Sequence, residues 1–83
     1  MKINVATDEA YEISPRFRQT VEDRIARLER DAASDEAMVE LLEDPDHIRR
    51  QMRLVVAQRT EALRMRIFLD RARTRLPRPL IAL

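Results

Sequence analysis

Cysteine, glycine and tryptophan are all missing from this sequence. Without Cys there is no disulfide framework, no thiolate metal site and no Cys nucleophile. Without Gly there is no phosphate-cradling loop, and tight two-residue hairpins lose the residue they usually need at positive φ. Aromatic side chains are scarce, two Phe and one Tyr. Apolar runs stop at four residues, too short to span a membrane. Lys2 is not followed by the apolar stretch of a secretory signal. The expectation is a cytoplasmic protein.

What remains is rich in charge. Of the 83 residues 37% are charged and 45% apolar, which suits a folded domain rather than a disordered tail. A chain of this size buries only ~60% of the surface its unfolded form exposes, so its core is thin or is completed by a partner. The net charge of +1 hides a division between halves. Residues 1–45 hold 6 basic and 12 acidic side chains, a net −6, whereas residues 46–83 hold 10 basic and 3 acidic ones, a net +7. All ten positives of the second half are Arg, and Lys2 is the only Lys. Arg bonds phosphate in a planar, bidentate way and stacks on bases, which raises RNA or another polyanion as a partner. The plainer reading is that the two halves neutralise each other across the fold.

Along the chain, Ile3 and Val5 alternate with Lys2 and Asn4 with the period of two of a short strand; after the polar connection Thr7-Asp8-Glu9-Ala10, Tyr11 and Ile13 alternate with Glu12. Ser14-Pro15 then marks a helix start. Phe17, Val21, Ile25, Leu28 and Ala32 form one stripe behind it, which predicts a helix over about residues 15–32. Beyond Asp35 two readings compete. In the helical one, Ser34 caps a short helix to Glu43, and Asp44-Pro45 opens another running to about Arg75. Ile48, Val55, Ala62, Leu69 and Leu76 recur every seven residues along it. Such a rod, ~45 Å long, needs a dimer or a partner groove to cover it. In the extended reading, Met52, Leu54 and Val56 alternate with Arg53, Val55 and Ala57, and Leu63, Met65, Ile67 and Leu69 alternate with Arg64, Arg66 and Phe68. Gln58–Glu61 is then a hairpin loop. Periodicity does not separate the two, and the good helix formers among these residues lean towards the rod.

Met1-Lys2-Ile3-Asn4-Val5, Glu12-Ile13-Ser14, Phe17-Arg18, Val21-Glu22 and the run from Arg24 to Arg30 follow a collinear pattern. That pattern resembles the ribosome hibernation factors, the ribosome-associated translation inhibitor family. Val39-Glu40-Leu41 followed by Asp44-Pro45 resembles the second strand and Pro-containing turn of some members. The resemblance implies an α+β fold, β-α-β-β-β, with the 15–32 helix packed on a small sheet. Its domain would be residues 1–76, with 77–83 a Pro-containing tail. Thr7-Asp8 stands where the family usually has Gly, and Pro77-Arg78-Pro79 where a second long helix is usual, so a short or diverged member is implied. The alternative is an all-α helical hairpin, dimeric.

Chemistry-bearing residues are few. His47 is the lone His, beside Asp46 in a polar turn, and no nucleophile or metal-ligand spacing accompanies it. The expectation is a non-enzyme with no cofactor, no metal, no small-molecule substrate and no membrane partner. In the extended reading Arg53, Arg64 and Arg66 lie on the sheet face away from the helix, and Arg49, Arg50, Arg71, Arg73 and Arg75 sit at strand ends or in the tail. Those eight are the candidate RNA contacts, giving affinity and position without reading sequence. The resemblance implies lodging in the decoding channel of the small ribosomal subunit and inhibiting translation by steric occlusion through contacts to rRNA phosphates. The alternative is a regulatory protein–protein interaction module of antiactivator, antitoxin or phage-inhibitor type, acting as a homodimer or on a protein partner. A weaker third reading takes Lys2, Asn4 and Ala6 as a DNA-reading ribbon.

Overall fold

A computed structural model describes residues 11–75. The expected first strand, the DNA-reading ribbon, Leu76 and the 77–83 tail lie outside them. Within them the chain is a helical hairpin closed at one end by a small parallel ribbon. The order is β1 (Tyr11–Ile13), α1 (Pro15–Met38), a single 3₁₀ turn (Val39–Leu41), α2 (Pro45–Arg71) and β2 (Ala72–Thr74).

Each helix starts where its cap chemistry dictates. The Ser14 Oγ accepts from the Phe17 N–H at 3.0 Å, and Pro15 follows at the first helical position. The Asp44 carboxylate accepts from the Asp46 N–H at 3.0 Å, again with a Pro next. Pro45 also biases Asp44 away from helical backbone, which separates α2 from the preceding turn. α1 begins as expected but runs on to Met38, because Ala32-Ala33-Ser34-Asp35-Glu36-Ala37 holds no breaker. Ser34 therefore lies inside α1 and caps nothing.

The expected β-α-β-β-β sheet is not formed. Val39-Glu40-Leu41 is a 3₁₀ turn, and both Arg-rich alternating runs are consecutive turns of α2, with Gln58–Glu61 in its middle. Burial gives the reason. Val55, Ala62 and Leu69 are buried at 1%, 1% and 7% exposure, and they recur every seven residues. The strand reading placed Val55 on the outer face and Leu54, Val56, Leu63 and Ile67 inside, but those four are exposed. Helix propensity and the missing Gly act in the same direction, and no described residue has positive φ.

α1 and α2 pack antiparallel along a heptad-like seam. Ile25 from α1 packs with Ala62 and Leu69 from α2, with Ile13 closing the ribbon end, and Ala32 and Val55 are buried as well. Val21, Leu28, Met65 and Phe68 pack half-buried against this line. The small Ala32 and Ala62 let the backbones approach, and the Phe17 and Phe68 rings meet edge to face with centroids 6.3 Å apart. β1 and β2 pair parallel in the register Tyr11–Ala72, Glu12–Arg73 and Ile13–Thr74. The Arg75 N–H extends the ladder to the Ile13 carbonyl at 2.7 Å. The Cα atoms span only 11 Å along the shortest axis. Among the described residues the two helices form a single layer, with no third helix packed over either broad face.

Candidate interaction surface

The charge division of the sequence is partly settled inside the hairpin. Arg66 grips Glu29 through two bonds, Nε to Oε2 at 2.9 Å and Nη2 to Oε1 at 2.8 Å. Arg59 donates to Glu36 at 2.7 Å, and Arg75 lies 3.6 Å from Glu12. Each pair joins the basic second half to the acidic first half. Glu29 and Glu36 are seven residues apart on α1, as Arg59 and Arg66 are on α2, so the pairs form a two-rung ladder along one edge of the seam. The hydrogen bond and charge from Arg59 hold the Glu36 carboxyl below its ordinary value, and Glu36 raises Arg59 in return. On the other edge Gln51 donates to the Asp35 carbonyl at 2.8 Å and Gln58 to the Asp35 carboxylate at 2.9 Å. The Gln58 Oε1 is buried there without a donor.

The eight candidate RNA contacts do not converge on one face. Arg66 and Arg75 are tied to first-half acids. Arg49 pairs with Asp46, and Arg64 lies 3.8 Å from Glu61, each one turn away on α2. Arg50, Arg53, Arg71 and Arg73 are exposed, with no ion pair among the described residues. Arg53, Arg64 and Arg71 stand on the side of α2 turned from α1, and Arg73 on β2. The sheet face that was to present Arg53, Arg64 and Arg66 together is absent, and Arg66 points to the opposite edge of the helix from Arg64. His47 is exposed, 3.9 Å from Asp44. Among the described residues no group of His, Cys, Asp or Glu could hold a metal ion, and no helix is long and apolar enough to cross a membrane.

A second apolar stripe on α2 was not anticipated. Val56, Leu63 and Ile67 are 58%, 56% and 45% exposed, with Thr60 half-buried between them. Their spacing of four, three and four is again that of a coiled-coil seam, displaced around the helix from the line of Val55, Ala62 and Leu69. The Arg59–Glu36 and Arg66–Glu29 rungs run between the two stripes. Beside them lie two open clefts, of about 300 and 370 Å³, both lined by Glu29 and Arg66, with Leu63 in the larger. The spacing was present in the sequence, but alternation had absorbed Val56, Leu63 and Ile67 into strand interiors. Neither a protein-family model, nor a curated protein, nor a solved structure matches the chain.

Proposed function

We propose that this chain is a cytoplasmic, all-helical interaction module that works by docking its open faces on protein, as a dimer or on a protein partner, in the manner of small antiactivators, antitoxins and phage-encoded inhibitors. The observation that carries this reading is the line of large aliphatic side chains, Val56, Leu63 and Ile67, left about half exposed on a hairpin only one helix thick. A pair of helices covers one stripe on each; side chains of this size at seam spacing beyond that stripe are what a further helix covers. Binding through such a face needs no chemistry from His47 or the scattered acids.

The ribosomal expectation keeps less support. Occlusion of the decoding channel relied on a guanidinium surface carried by a sheet, and the arginines instead divide between intramolecular pairs and separate sides of α2. Light scattering on the purified chain, run with and without nuclease treatment, tests the proposal. A nuclease-insensitive mass of two chains at high micromolar concentration is the expected result. A single-chain mass at every concentration, with ribosomal RNA retained through purification and lost on nuclease treatment, would return the chain to the ribosome.

A further inference from the structure

Resting on that proposal and naming its surface, we infer that the second stripe of α2 is a self-complementary seam that pairs two copies of this chain antiparallel, α2 against α2. Two features of the stripe select a second copy as its occupant.

The first is the charge at its ends. Continuing the four-three spacing outward from Val56 and Ile67 reaches Arg53 on one side and Asp70 on the other. Both are exposed, and neither has an ion pair among the described residues. In an antiparallel two-helix seam each a position faces a d position of the other chain, while a parallel one sets identical positions together. Antiparallel pairing thus stacks Arg53 on Asp70 of the second copy, Val56 on Ile67, and Thr60 on Leu63, then repeats these layers in reverse. The four inner layers, two of Val56 on Ile67 and two of Thr60 on Leu63, are closed at both ends by opposite charges. The parallel arrangement would set Arg53 against Arg53 and Asp70 against Asp70, so charge fixes the orientation.

The second feature is the rim. α2 carries seven Arg against three acids, and two such helices would repel one another. Arg59 and Arg66 border the stripe on the α1 side, and each is already paired within its own hairpin, with Glu36 and Glu29. The repulsion that remains along that rim is small, and the pairs stay wet at the edge rather than being buried at a cost. The seam covers 18 residues, about 27 Å of helix. It lies at the small end of specific interfaces, and the dimer dissociates on dilution into the micromolar range.

The absence of native cysteine makes the test direct. Val56→Cys and Ile67→Cys chains are prepared separately and oxidised alone or mixed. The antiparallel seam predicts a disulfide-linked dimer from the mixture and little from either chain alone. Efficient linking of Val56→Cys with itself would mean a parallel pairing and overturn the inference. A charge exchange supplies a second readout that does not rely on cysteine. Arg53→Asp alone weakens self-association about tenfold, and Arg53→Asp with Asp70→Arg restores it to within about threefold. A dimer by light scattering that shows neither behaviour places the contact elsewhere and leaves the interaction-module reading standing. A chain that is monomeric at every concentration removes both. Circular dichroism of each variant confirms that the hairpin is intact, since all four positions are exposed or half-exposed.

Discussion

α2 carries two lines of aliphatic residues of nearly the same spacing, and they meet opposite fates. Val55, Ala62 and Leu69 are buried in the hairpin, Val55 and Ala62 almost wholly, with Ile48 half-buried in line with them. Val56, Leu63 and Ile67 point to solvent beside them. Residue size accounts for part of the difference. The closed line has the small Ala62 packed with Ile25, which lets two helix backbones come together; the open line has larger side chains and, among the described residues, no helix packed over it. Chain connectivity accounts for the rest. A hairpin offers α2 one partner helix, and a helix with two stripes needs two.

Substitutions on the two lines break that comparison most sharply. Val55→Asp puts an unpaired charge in the closed seam at a cost of about 3–5 kcal/mol. That is most of the stability expected of so small a domain, so helical circular dichroism is lost at room temperature. Val56→Asp, one residue on, leaves the helical signal unchanged and moves stability by less than about 0.5 kcal/mol. Next in size, Ala62→Leu overpacks the closed seam and costs about 1–3 kcal/mol by denaturant titration. Thr60→Leu, by contrast, fills the polar layer of the open seam and tightens self-association without loss of fold. Ser14→Ala removes the α1 cap and costs about 1 kcal/mol, falling on the hairpin and not on association.

The smallest effect is one of pH. The Arg59 bond and charge lower the Glu36 carboxyl below its ordinary value of 4.5. A carboxyl lowered on folding contributes stability that is present above its unfolded pKa and lost as pH falls through the folded one. Melting temperature therefore drops as pH is taken below about 4.5, and Glu36→Gln lessens that drop slightly, because the pair is exposed and screened by solvent. The two variants Glu36→Gln and Glu29→Gln leave Arg59 and Arg66 uncompensated on the rim, so both also weaken association at low salt.

The parts of the fold that local chemistry decides were legible in the sequence. Ser14-Pro15 announces α1 and Asp44-Pro45 announces α2 in the helical reading, whereas β1 at Tyr11–Ile13 is not among the expected strands. The seven-residue recurrence of Ile48, Val55, Ala62 and Leu69 was visible too, but it overlapped a period-two pattern in the same residues. Met52-Leu54-Val56 and Leu63-Met65-Ile67-Leu69 satisfy both periods, because a helix with two apolar stripes fills positions that a strand would also fill. Only burial separates them. The resemblance to hibernation factors was carried by the first 45 residues, and it drew the ambiguous half towards strands that these residues do not form. The open stripe is illegible for the same reason, since its members also fit the inner face of a sheet. The ladder of Arg59–Glu36 and Arg66–Glu29 was anticipated only as a general exchange of charge between halves.

Dilution followed by methyl NMR separates the two lines of α2 most directly. On passing from millimolar to low-micromolar chain, the Val56, Leu63 and Ile67 methyl resonances shift while those of Val55, Ala62 and Leu69 stay fixed. Shifts of equal size in both sets, or in the Val55 line alone, would contradict the account of one seam closed within the chain and one closed between chains.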